Sequence, residues 1–134
     1  MGVVNLTKAG TQVNTSKDGI VIVRSVDDVR AGKSLDVTGF APKTIHAGHV
    51  IIMETTTKNY KPMPVAAEPY TGASYSALPA GHEYVGIQKA SVLTDEASVG
   101  ILTIGTVREE AMPYNWASIK AAFRTARPLI DVAQ

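Results

Sequence analysis

The sequence predicts a mostly-β domain, β-barrel-like or β-tulip-like and small, with one C-terminal helix around residues 115–127. Three observations carry this reading. Short β-branched runs recur between clusters of Gly, Pro, Asn and Thr, the pattern of strands and turns. Gly100 and Gly105 interrupt the apolar run Ser98–Val107, where a strand glycine marks a bulge or a close backbone approach. Only beyond Asn115 do apolar residues adopt helical spacing.

Residues 1–18 mix Thr, Asn, Ser and Lys with scattered apolar residues and have no sustained period, which predicts a flexible N-terminal arm. Val3, Val4, Leu6 and Val13 equip that arm to add a strand to a partner's sheet. Residues 19–134 form a single β-rich domain. Its first strand starts at Ile20–Val23, after Asp18-Gly19. Residues 29–40 continue as extended pieces broken by turns. His49–Glu54 is the next strand, launched by Ala47-Gly48, and Thr55–Asn59 is its turn. The return, Tyr60–Val65, carries Pro62 and Pro64, which confine it to an edge or to an irregular strand. Residues 66–81 form a long loop, and loops of this length are usually functional or part of an interface. A hairpin follows, with strands 84–92 and 98–107. Asn115 then caps a helix whose Trp116, Ile119, Ala122 and Phe123 share a side. Lys120, Arg124 and Arg127 suit the negative end of its dipole, and Pro128 stops it. Leu129–Val132 reads as a last short strand.

The chain has 134 residues, 45% hydrophobic and 19% charged, enough for one domain with a buried core. Its net charge of +1 comes from interspersed charges, with no basic stripe, so no direct nucleic-acid partner is expected. The absence of cysteine removes disulfides, thiolate metal sites and Cys nucleophiles together. No apolar run reaches the roughly 18 residues that a membrane span needs, and no membrane partner is expected. Met1–Thr7 lacks the basic and apolar regions of a signal peptide.

"VRAGKSLD", residues 29–36, ends like a phosphate-binding loop. Such a loop needs an earlier Gly, a strand before it and a helix after it, because helix N-terminal N–H groups cradle the phosphates. Asp27 stands where that Gly belongs, Asp28 lies beside it, and no helical spacing follows Ser34. The expected structure is a turn, with Gly32 permitting the tight backbone.

His46 and His49 are three apart on extended chain and so point apart, which makes surface or loop histidines the default and a metal site the exception. No cofactor or metal is expected. An enzyme would have to use His82 with Glu83 or Glu109, and nothing in the sequence places a nucleophile beside a base. Tyr70, Tyr75 and Tyr84 lie in or beside the long loop without basic neighbours, which favours packing or a protein interface over base stacking. Trp116 and Phe123 share a helix face that packs into the core or against another subunit. The candidate subunit interface is Tyr70, Tyr75, Tyr114, Trp116 and Phe123.

From about Ala47 onward the layout resembles the small head-decoration proteins of tailed phages, the lambda-type capsid-stabilising family with its head-fibre-like relatives. The resemblance lies in Ala47-Gly48-His49-Val50-Ile51, the turn and return from Thr55 to Val65, and Val85-Gly86-Ile87 with Val99-Gly100-Ile101-Leu102. It continues through the segment Thr106 to Trp116 that leads into a helix, and the closing Leu129–Val132. The resemblance implies a β-rich fold, a homotrimer on the outside of an expanded capsid, and an arm that docks on the major capsid protein. Residues 19–40 depart from it, being strand-like where a short flexible arm would suffice.

The expected function is therefore that of a structural virion protein that decorates and stabilises a phage capsid as a trimer. It would be made in the host cytoplasm, reside on the capsid surface and have no enzymatic activity. The alternative is a β-rich ligand- or glycan-binding module, such as a fibre base or adhesin, with Tyr70, Tyr75 and Tyr84 as its stacking platform.

Overall fold

The computed structural model describes residues 18–38, 40, 44–65 and 74–133. The predicted arm, with Val3, Val4, Leu6 and Val13, and Tyr70 of the long loop lie outside the described residues. The described residues are mostly β, with 50% of them in strands and 15% in helix.

The first strand begins later than its β-branched run. Asp18–Val21 makes a single helical turn, α1, which delivers Val21 fully buried into the core. β1, Ile22–Ser34, then runs without a break through the stretch expected to turn. Gly32 adopts φ +72°, but the left-handed residue is absorbed as a bulge. Between the pairs Val29–Ile101 and Lys33–Val99, β1 spends four residues against two on its partner. The "AGKS" letters therefore lie on a paired strand, and no helix follows them. The chain continues to Leu35, which bridges Tyr60.

Six further strands complete the architecture with β1 and a closing strand: β2 Thr44–Ile45, β3 Val50–Glu54, β4 Tyr60–Pro62, β5 His82–Gln88, β6 Val92–Leu93 and β7 Ser98–Arg108, then β8 Ile130–Ala133. The main sheet has the order β1-β7-β5-β3-β4, with β8 parallel to β7. β7 is its spine. One edge of β7 pairs with β1, and the other is shared by β5 at Leu102 and Ile101 and by β8 from Gly105 to Arg108. β4 is an edge strand, consistent with Pro62 at its end. A separate small ladder joins β2 to β6.

The sheet does not close. The far strands β1 and β4 approach through the Leu35–Tyr60 bridge, where the Asp36 N–H donates to the Tyr60 carbonyl at 2.8 Å. A barrel would need a ladder there, and β4 is only three residues long.

Two of the hairpin glycines mark close backbone approach. A Cβ on Gly86 would run into the Leu102 carbonyl, and one on Gly105 into the Arg24 carbonyl. Gly100 differs, since its nearest neighbour is the Lys89 side chain at 3.5 Å, ordinary contact.

The core has two parts. The larger gathers Val50, Ile52, Met63, Tyr75, Tyr84, Ile87, Leu102, Trp116, Ile119 and Phe123. The smaller holds Leu35, Ile45, Ile51, Val85, Val99 and Ile101. Ile51 and Ile52 thus send neighbouring side chains into different clusters, as alternation on a strand dictates.

The C-terminal helix α2 spans Lys120–Ala126, shorter than the expected 115–127. Asn115 is engaged elsewhere. Its backbone bridges Ser74, and its side-chain oxygen accepts the Ala117 N–H at 2.9 Å in an Asx turn. The helix begins only after Trp116, whose carbonyl accepts the N–H groups of both Ile119 and Lys120. Arg127 closes it. Its N–H reaches the Phe123 carbonyl, and its Nε donates to the Tyr84 carbonyl at 2.9 Å, pinning α2 to β5.

Candidate functional site

The densest grouping of polar and aromatic side chains lies where β3 begins. His49 was expected at the surface and is instead fully buried. The reason is its place at the head of β3, whose residues 50–52 are buried on both faces of the sheet. Phe40, Tyr75 and Tyr114 surround the imidazole edge-on, with centroids 5.4, 5.2 and 5.5 Å away. Such T-shaped contacts suit aromatic quadrupoles.

The hydrogen bonding fixes the tautomer. Nε2 lies 2.9 Å from the Met63 carbonyl, which can only accept, so Nε2 carries the proton. Nδ1 is buried and has no partner among the described residues. A second proton there would create a cation with no acceptor. Burial accordingly lowers the His49 pKa from 6.5 to about 4, partly opposed by the Met63 carbonyl and assisted by repulsion from His46. A group that stays neutral with its only proton committed to a backbone carbonyl is a structural pin. It ties β3 to the chain beyond β4.

Tyr75 does the same from the other side. Its hydroxyl accepts the Val50 N–H at 3.2 Å, and burial pushes its pKa well above the usual phenol value. Tyr75→Phe leaves that N–H buried and unpaired. It is expected to lower unfolding free energy by about 1–3 kcal/mol, read by chemical denaturation.

Gln88 is the second fully buried polar side chain of the core. Its Nε2 donates to the carbonyls of Ile45 and Ala90 at 2.8 and 2.7 Å, joining β2 to the end of β5. Glu109 fills a third fixed position. It accepts from the Trp116 indole N–H at 2.8 Å and from Lys120 Nζ at 3.1 Å. These contacts, the indole first, hold its carboxyl below the usual range. They also clamp the segment before α2 to the end of β7.

The acid–base candidates are scattered. His82 Nδ1 lies 2.9 Å from the Ala80 carbonyl, Glu83 is exposed opposite Met53, and Glu109 is bound to Trp116 and Lys120. Among the described residues, no group of three or more His, Asp or Glu could hold a metal ion. No described helix is long and apolar enough to cross a membrane.

The residues expected at a subunit interface are core residues of this chain wherever they are described. Tyr75 and Tyr114 pack on each other and on His49, and Trp116 packs on Phe123, which also meets Tyr84. All are buried within one copy. Tyr75 and Tyr84 therefore present no open stacking platform to a sugar ring. Sequence reasoning missed the buried histidine and the apolar residues that β1 exposes. The one signal for the latter was Val23 and Val26 lying close to Arg24 and Asp27.

Compared with protein-family models and with curated proteins, the chain matches none of them.

Proposed function

We propose that this protein is a structural virion protein that decorates the outside of a tailed-phage capsid as a trimer and stabilises it by bridging neighbouring capsid subunits. The observation that carries the reading is how the side chains are used. The buried polar groups among the described residues, His49 and Gln88, are bonded to backbone carbonyls, and the half-exposed Glu109 clamps Trp116 and Lys120. Such chemistry serves rigidity. Meanwhile β1, the outer strand nearest the N-terminal segment, displays apolar side chains to solvent. The β-rich fold with a C-terminal helix also agrees with the layout resemblance.

The stabilising mechanism is burial of apolar surface at subunit junctions, together with strand addition by residues 1–18. Deleting residues 2–18 is expected to abolish binding to expanded shells while the unfolding free energy of the body stays within about 1 kcal/mol of the full chain. Full-strength shell binding by the truncated protein would remove the arm from the mechanism.

A further inference from the structure

The large apolar side chains most exposed among the described residues are Ile20 at 49%, Val23 at 48%, Val26 at 57% and Leu129 at 63%. Isolated exposed apolar residues are ordinary. These are set apart by where the backbone puts them. In the β1–β7 ladder, Ile22 pairs with Val107 and Arg24 with Thr106, which leaves Val23 as an extra residue. Ser25 pairs with Gly105 and Asp27 with Ile104, which leaves Val26 as another. Both valines therefore sit at bulges, which re-aim side chains. Leu129 belongs to the same neighbourhood. Its carbonyl accepts the Gly105 N–H, so it stands across β7 from Ser25, about 10 Å or two strand spacings away.

The charges beside the valines differ in sign. Arg24 and Asp27 are both exposed, and neither joins an ion pair among the described residues. Asp28, in contrast, is held by Lys89. With a cation and an anion that have no ion-pair partner among the described residues on the same apolar patch, the cation of one copy can meet the anion of the next in a head-to-tail ring of copies. The bulges also break the register of the outer backbone groups, which disfavours open-ended strand stacking and leaves a contact made by side chains.

We propose that this edge of β1 is where one copy of the chain meets the next, with Val23 and Val26 at the centre, Leu129 across β7 at its flank, and Arg24 of one copy opposite Asp27 of its neighbour. The proposal rests on the self-association in the reading above and names its surface.

The test is solution mass by light scattering for the wild type, Val26→Asp, Arg24→Asp, Asp27→Arg and the double charge reversal, each checked for unchanged circular dichroism. The wild type is expected at three times 14.2 kDa. Each single variant should fall toward the monomer mass, and the double reversal should recover the wild-type mass. Variants that keep the trimer mass would overturn the surface and leave the trimer standing. A wild-type dimer that Val26→Asp dissociates would support the surface and overturn the trimer. A monomeric wild type would overturn both. Variants with wild-type mass that lose shell binding would reassign the patch to the capsid.

Discussion

Gly86→Ala is expected to destabilise the protein by roughly 3 kcal/mol or more, with a matching loss in denaturation midpoint. The added methyl would enter the space of the Leu102 backbone carbonyl, and Ile101 Cγ2 stands 3.1 Å away. A backbone carbonyl cannot rotate aside as a side chain can, so β5 would have to move off β7. The registered pairs joining these strands are Ile87–Leu102 and Gln88–Ile101, immediately beside the clash. Separating them also removes support from Gln88, which links β2 to β5. Gly100→Ala is the control, because the nearest atom to its Cβ is a flexible Lys89 side chain. It should cost less than about 1 kcal/mol. Equal effects of the two substitutions in urea denaturation would contradict this account of the spine.

Acid is expected to remove about 3 kcal/mol of stability between pH 6.5 and pH 4 through His49 alone. Folding lowers the pKa of this group from 6.5 to about 4, so within that window the unfolded chain binds the extra proton. Stability is therefore complete above pH 6.5, falls by roughly 1.4 kcal/mol per unit as pH drops, and stops falling on this account near pH 4. The carboxyls of Asp36, Glu54 and Glu109 also have lowered pKa values, through hydrogen bonds from Thr38, Thr57 and Trp116 respectively. Their stabilisation is present above the ordinary carboxylate range and is lost only at lower pH than most of the histidine effect. The two contributions can be separated. His49→Gln should flatten the profile above pH 4.5 and leave the more acidic limb in place. A wild-type profile flat from pH 6.5 to pH 4.5 would contradict the buried neutral imidazole.

Much of the fold was legible in the sequence because local signals and tertiary structure agreed. The β-branched run at Val50–Glu54, the Thr55–Asn59 turn and the proline-limited edge strand at Tyr60–Pro62 all lie where pattern and turn chemistry put them. Gly105 did mark close backbone approach, whereas Gly100 has only the Lys89 side chain near it. Failures came where tertiary contacts outweighed a local preference. Gly32 suits a turn, but pairing with β7 carries the strand past it as a bulge. Asn115 suits a cap, but its backbone pairs with Ser74 and the helix starts five residues later. His49 looked like a surface residue because nothing local reveals that Phe40, Tyr75 and Tyr114 converge on it. The same limit applied to Trp116 and Phe123. Their helical spacing showed a shared face, and only the packing placed that face inside the chain.

The functional reading turns on a surface that no local pattern specifies. Val23 and Val26 stand three apart among charged and polar residues, a spacing that strict alternation would put on opposite faces, and only the ladder shows that both are extra residues at bulges.

The most direct test of the decoration reading is co-sedimentation of the full chain with purified expanded tailed-phage shells stripped of their decoration protein. The account predicts saturable binding in multiples of three copies and shells that withstand higher temperature or chelator stress. A correctly folded protein that remains in the supernatant at saturating concentration, with shell stability unchanged, would contradict it.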